Sequence, residues 1–263
     1  ATINLSDECV PADDYFDTAL SLDLATGAIK WSRRLEGYDA WTVACKIVPP
    51  GRSCPSPHGP DYDLGGSGAN LLDNGNLVGF GQKSGIYWAL NPEDGSIVWS
   101  TFVGPAGSGT LGGIEWGTAT DGRRIYTEIA DSGAVPYTLV PSGQQISWGS
   151  WSALDARSGK ILWQTADPTP GSIDSGAVSA ANGVVYAGSY DAAGHMYALD
   201  AATGKIMWSF ASGGSVIGGP SIVGRFVYWG SGYHQIPPGT PNNKVYAFTI
   251  PVGKNHHAEV RGR

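Results

Sequence analysis

The chain has 263 residues, a formal net charge of −7 and 15% charged residues, with 39 Gly, 17 Pro and 10 Trp. That balance argues against nucleic acid or an anionic membrane as a partner, because no Lys/Arg run supplies the cationic field either one needs. No apolar stretch approaches the ~18 residues that span a bilayer, and the Gly, Pro and Trp content favours one all-β, turn-rich domain with a sizeable core.

In chain order, residues 1–16 read as irregular and polar, and 18–35 as a strand pair. An insertion over 36–69 holds Asp39 and two cysteines, and strands follow at 70–80 and 85–102. A Gly-rich insertion at 104–113 precedes Glu115-Trp116-Gly117, and strands are expected at 123–129 and 151–165 with a polar loop over 131–149. Apolar alternation resumes at 183–189, 196–199 and 206–210, then at 227–230 and, after a Pro/Gly loop at 237–241, at 245–248. We divide the chain into one domain over 1–253 and a tail over 254–263, whose lack of an apolar period predicts mobility. No signal peptide is legible, and the start at Ala1 without Met fits processing or truncation upstream.

Four segments share one pattern: Ser21 to Trp31, Ala89 to Trp99, Ala153 to Trp163 and Ala198 to Trp208. In each, Asp or Asn lies eight residues before the Trp and Gly four before it. The Asp-x-x-Thr-Gly core supplies turn chemistry and a residue free to take positive φ, so each unit reads as a hairpin. The Trp should wedge between neighbouring units near the small residue of the motif, in four equivalent buried positions. Trp163 and Trp208 are 45 residues apart, which matches a four-stranded propeller blade, while the earlier spacings of 68 and 64 carry insertions. Insertions in propellers become loops on one face, so the site is expected between Trp31 and Trp163. The segment Val245-Tyr-Ala-Phe reads as a truncated fifth copy. Four units plus a strand make either a four-bladed ring or part of a larger one, and an unclosed propeller leaves exposed sheet edges.

Cys45 and Cys54 close a short Pro/Gly-rich loop suited to a disulfide in an oxidising compartment, which points to a secreted or periplasmic protein. Cys9 is left over, either free or paired elsewhere. No clustered Cys/His spacing suggests zinc, and His58, His195 and His234 lie in separate loops without a nucleophile elbow. No phosphate-binding or dinucleotide fingerprint occurs.

The Asp-x-x-Thr-Gly-x-x-x-Trp unit resembles the blade signature of the quinoprotein dehydrogenases, which carry pyrroloquinoline quinone (PQQ) at the axis of an eight-bladed propeller. Gly37-Tyr-Asp-Ala-Trp-Thr-Val-Ala-Cys45, Gly81-Gln-Lys-Ser-Gly-Ile-Tyr-Trp-Ala-Leu90 and Gly112-Gly-Ile-Glu-Trp-Gly-Thr-Ala-Thr-Asp-Gly122 together look like the polyvinyl alcohol dehydrogenase branch. The resemblance implies an all-β chain holding about four of eight four-stranded blades, without the first half of such a protein. It implies PQQ and Ca²⁺ as cofactors, an alcohol substrate and an external acceptor such as cytochrome c.

The resemblance carries over unevenly. Asn4 falls where the family has an Asn ligating Ca²⁺, though the preceding Gly is Ile3 here, and it reads equally as a turn residue. Lys83 matches the basic residue that contacts the quinone oxygens, where it would stabilise charge on the reduced cofactor; otherwise it is a solvated charge entering a hairpin. Asp39 opens Asp39-Ala-Trp-Thr42, where the family's second Asp, the usual base, is Thr42; Asp39 is therefore a candidate metal ligand and base or a structural Asp. Asp61 and Asp63 are alternative ligands that read as turn carboxylates. Glu115 and Trp116 lie where the family has Asn-Trp facing the cofactor, and an ionised Glu would repel a cofactor carboxylate unless protonated or paired.

The leading expectation is PQQ-dependent oxidation of secondary alcohols by a propeller that a second chain or fragment completes. The competing one is a non-catalytic propeller or half-propeller that binds a protein or carbohydrate through its loop face.

Overall fold

The computed structural model describes residues 13–35, 41–46, 49–55, 59–64, 66–106, 111–236 and 238–249. Asn4, Cys9, Asp39, His58 and the 254–263 tail lie outside them.

Among the described residues the strands form five radial units in sequence order. The first is a pair, β1 (Thr18–Leu22) and β2 (Ile29–Arg34). The second has four antiparallel strands, β3 (Ala69–Leu72), β4 (Leu77–Gly81), β5 (Ile86–Leu90) and β6 (Ile97–Phe102). In the third, β7 (Ala119–Thr120), β8 (Arg124–Ile129), β11 (Ser150–Asp155) and β12 (Ile161–Ala166) make the sheet. The polar loop expected over 131–149 instead holds a short hairpin, β9 (Tyr137–Thr138) with β10 (Gln145–Ile146). Its two-residue strands are too short to show period-2 alternation. The fourth unit runs β13 (Ser179–Ala181), β14 (Val184–Gly188), β15 (His195–Asp200) and β16 (Ile206–Ala211), and the fifth has three strands, β17 (Ser221–Val223), β18 (Phe226–Ser231) and β19 (Lys244–Thr249). The short first strands β3, β7, β13 and β17 neighbour one another in turn and form the inner rim.

The repeat motif explains both the hairpins and the seams. Ser21, Ala89, Ala153 and Ala198 each pair directly with the Trp of their own unit, and the register shifts one residue later. The motif acid braces the turn: Asp155 Oδ1 accepts from Ser158 N at 2.9 Å, and Asp200 Oδ1 from Thr203 N at 2.8 Å. The Trp then docks forward on the next unit's turn. A Cβ on Gly95, Gly159 or Gly204 would stand 2.5, 2.4 or 2.5 Å from Trp31, Trp99 or Trp163 respectively, so each of these glycines is needed for its positive φ and for this approach. Beside the rings, Arg33 Nε, Thr101 Oγ1 and Thr165 Oγ1 donate to the carbonyls of those same glycines at 2.7, 2.7 and 2.8 Å.

The four tryptophans are therefore equivalent in register but not in burial. Trp163 is 4% exposed, Trp31 and Trp99 are half-buried, and Trp208 is 38% exposed, its ring lying against Phe210 and Phe248 instead of a described glycine turn. Among the described residues three units have the four strands expected of a blade, the first has two and the last three. The hydrophobic core is divided among the seams between successive units, as in the cluster of Leu72, Tyr87, Ile114, Ile125 and Leu154 between the second and third.

Candidate functional site

On the loop face, between the first three units, lies an open cleft of about 520 Å³ whose lining includes Tyr15, Asp63, Phe80, Lys83, Glu115 and Trp116. Lys83 comes from the turn between β4 and β5. That turn is fixed by Gln82, a fully buried side chain whose Oε1 accepts from Ser84 Oγ (2.8 Å) and Trp88 Nε1 (3.0 Å). Glu115 and Trp116 come from the linker between β6 and β7. Ile114 N donates to Gln82 O at 3.1 Å, and a Cβ on Gly113 would meet Lys83 O at 2.2 Å, so the linker lies directly on the Lys83 turn. Residues 59–64 and 66–68 close the third side, because Gly66 leaves room for the Glu115 carbonyl that a Cβ would approach to 2.2 Å.

Lys83 is not a solvated charge. Its side chain is 17% exposed and Nζ donates to Asp63 Oδ2 at 2.6 Å and to Asp61 Oδ1 at 3.2 Å. Burial pulls its pKa down, but Asp63, Glu115 and Asp61 outweigh burial and hold it above the ordinary lysine value, so the ammonium stays charged. Asp61 and Asp63, which the sequence presents as turn carboxylates, are thus the partners that set the position and charge of Lys83.

Glu115 is 1% exposed. Its Oε1 accepts from Gly112 N at 2.6 Å and its Oε2 is buried without a partner. Burial raises its pKa to about 7, against the opposing pull of Gly112 N–H and Lys83. The upward shift lessens the repulsion that an ordinary ionised Glu would set against a carboxylate at this position. Its backbone N–H donates to Glu128 Oε1 at 3.0 Å, and Glu128, fully buried, is pushed up to about 8.

Glu128 belongs to a row of acids absent from our expectations. Counting from the Tyr126 and Tyr186 pairs, Glu128 stands where the second and fourth units have Gly81 and Gly188. Each of those glycines faces an aliphatic side chain of the next linker, Ile114 or Val216. In the third seam that aliphatic position, five residues before the inner strand's first paired residue, is Asp174. Asp174 is fully buried, neither oxygen has a hydrogen-bond partner, and burial followed by its neighbour Asp167 raises its pKa well above the carboxylate range. Aligning the units by register would have exposed this exchange; inspecting motifs singly does not.

Of the residues marked in the sequence, the fold brings Lys83, Glu115, Trp116, Asp61 and Asp63 together. Asn4 and Asp39 lie outside the described residues. Cys45 and Cys54 form the disulfide, with Cα atoms 4.9 Å apart. Among the described residues no group of three or more His, Cys, Asp or Glu is arranged to hold a metal ion, and no helix is long and apolar enough to cross a membrane.

Radial antiparallel sheets sealed by tryptophan on glycine define a partial β-propeller of the PQQ type. A family model described as outer membrane protein assembly factor BamB, of the PQQ_2 repeat, matches residues 149–261. The chain is similar to the polyvinylalcohol dehydrogenase of a Pseudomonas species, with 32% identity over 82% of this chain and 36% of that protein. It is equally similar to the polyvinylalcohol dehydrogenase of Sphingopyxis sp. (strain 113P3), with 32% identity over 92% of this chain and 41% of that protein. The chain therefore spans well under half the length of the curated relatives it matches. The solved quinohemoprotein alcohol dehydrogenase of Comamonas testosteroni superimposes with a TM-score of 0.54 at 16% identity, covering 94% of this chain and 45% of that one, a likeness of fold.

Proposed function

We propose that this chain supplies part of the active site of a PQQ- and Ca²⁺-dependent dehydrogenase that oxidises secondary alcohols of the polyvinyl alcohol type. The observation that carries the reading is the Lys83 ammonium, held charged by Asp61 and Asp63 at the rim of a cleft beside the buried Glu115. A polycarboxylated quinone needs a donor at its oxygens and cations at its acids. Lys83 fits the first need, and the orphaned Oε2 of Glu115 fits a carboxyl that donates its proton to an anionic ligand rather than repelling it. For a divalent cation beside the quinone, Asn4 and Asp39 remain the proposed ligands.

Bound there, the quinone would supply the two-electron acceptor. Lys83 would donate to its oxygens and stabilise the negative charge that grows on them. Asp61 and Asp63 would keep that donor charged and aimed. Asp39 would accept the hydroxyl proton of the alcohol, and Trp116 and Phe80 would exclude water from the reacting face. The relatives' names, the disulfide and the fold support the reading, together with a secreted or periplasmic setting, an external acceptor such as cytochrome c, and a second chain or fragment that completes the ring.

The second reading, a non-catalytic propeller that binds a protein or carbohydrate, is favoured by the match of residues 149–261 to an assembly-factor family. Incubating the purified chain with PQQ and Ca²⁺, followed by gel filtration, separates the two. Near-stoichiometric retention of quinone absorbance is expected, and retention near zero at micromolar protein would favour the binding module.

A further inference from the structure

Three aromatic rings from three successive units run out from the Lys83 cleft. Trp116, which lines the cleft, comes from the linker into the third unit. Its ring centroid lies 6.3 Å from that of Tyr233, in the loop after β18 of the fifth unit. Tyr233 in turn lies 6.3 Å from Tyr190, in the loop between β14 and β15 of the fourth. Neither interplanar angle is that of a stacked core pair, at 54° and 56°.

The row is built rather than incidental. Tyr233 N donates to Ser215 O at 3.1 Å, and Ser215 Oγ accepts from Thr240 N and donates to Asp191 O, which ties both loops together. Tyr190 is buried, donates to Ile236 O, and occupies space that a Cβ on Gly239 would fill to within 2.1 Å of its hydroxyl. Trp116 and Tyr233 are left 36% and 37% exposed. Neither the Trp116 indole N–H nor the Tyr233 hydroxyl has a protein partner among the described residues, so two donors on exposed rings are unspent. Large rigid rings with a free polar tip offer contact area at low conformational cost.

We infer that Trp116, Tyr233 and the supporting Tyr190 form an extended subsite for a linear polyhydroxylated chain, holding the stretch that continues beyond the carbinol at Lys83. Such a chain alternates methylene and carbinol carbons, so ring faces cover the methylenes while the indole N–H and the phenol address hydroxyls. Tyr233 is not among the residues lining the cleft, so a short diol held at Lys83 would not reach it. The inference rests on the proposed alcohol substrate, but the binding it predicts needs no cofactor.

The test is calorimetric titration of the full chain with polyvinyl alcohol and, separately, with 2,4-pentanediol, in the absence of PQQ. The polymer is expected to bind with micromolar-range affinity and the diol far more weakly. Tyr233→Ala should weaken polymer binding about tenfold, which is about 1.4 kcal/mol, and Tyr233→Phe, which keeps the ring, should lose only about two- to threefold. Unchanged near-ultraviolet circular dichroism and melting temperature establish that Tyr233→Ala is folded. Polymer binding that ignores Tyr233, or no polymer binding by the parent chain, would overturn the subsite. Tyr233-dependent polymer binding by a chain that retains no quinone would uphold the subsite while the catalytic reading fails.

Discussion

The six-membered ring of Trp163 covers Gly204 of the next unit so closely that a Cβ on that glycine would stand 2.5 Å from the indole. The contact is sealed by Trp163 Nε1 donating to Ala201 O at 3.1 Å and by Thr165 Oγ1 donating to Gly204 O. One glycine therefore serves a positive-φ turn in its own unit and an interface with the unit before.

Gly204→Ala should destabilise the fold by about 2–3 kcal/mol, since it combines backbone strain at φ +72° with overpacking against a 4%-exposed ring. Trp163→Ala should cost about 3–5 kcal/mol. Trp208→Ala, at a 38%-exposed ring, should cost about half that or less. Urea titrations of the three variants check the order; equal losses at Trp163 and Trp208 would contradict the docking account.

Lys83→Met should abolish retention of PQQ on gel filtration and also lower the melting temperature. The second effect arises because Asp61, only 8% exposed, loses the cation that compensates its burial. Lys83→Arg should restore stability and recover part of the retention. A Lys83→Met variant that keeps the quinone would remove this residue from the site.

The buried carboxyls impose a pH signature. Glu115 and Glu128 titrate at about 7 and about 8 in the fold, above the unfolded value near 4.5, so the folded chain binds more protons than the unfolded chain between those limits. Their contribution is complete below about pH 4.5 and is lost as pH rises through 7 to 8. The turn acids Asp155 and Asp200 act oppositely, since hydrogen bonds from Ser158 and Thr203 lower their pKa and their contribution disappears as pH falls below about 4. Urea midpoints should therefore peak near about pH 5 and decline toward pH 8. Glu128→Gln, which keeps the acceptor for Glu115 N–H, should flatten the decline, and an unchanged slope would show that Glu128 ionises freely.

The strand edges of the first and fifth units should drive association. Light scattering of the purified chain is expected to give a mass near two chains, or that of a hetero-complex when a complementary fragment is present. A strict monomer at tens of micromolar would argue against it.

Much of the architecture was legible because it rests on local chemistry repeated in register. The turn acid, the positive-φ glycine and the docking tryptophan each sit at a fixed offset, so their roles in the hairpins followed from Asp155, Gly159 and Trp163 alone. What the pattern did not carry was long-range. The unequal burial of Trp163 and Trp208 depends on which turn lies against each ring, and the pairing of Lys83 with Asp61 and Asp63 depends on a loop folding back across some 20 residues. Lys83, Glu115 and Trp116 were recoverable from resemblance. The acids Glu128 and Asp174 belong to no motif, so only a unit-by-unit comparison marks them, and Tyr233 gains its meaning from a neighbour more than a hundred residues away.

Forward docking gives the assembly a direction, much as a row of hooks and eyes has one. Each of the first three described seams sets a tryptophan on one side and a glycine turn on the other, always in the same order along the chain. At the β1–β2 end, Gly27 carries the same positive φ, and a Cβ there would meet nothing within 4 Å among the described residues. That turn has the shape that receives an incoming tryptophan at the three seams within the chain. A tryptophan-bearing unit that docks on this turn would therefore join head to tail around the axis. Two copies meeting through the β1–β2 edge would oppose one glycine turn to another and leave both without a tryptophan.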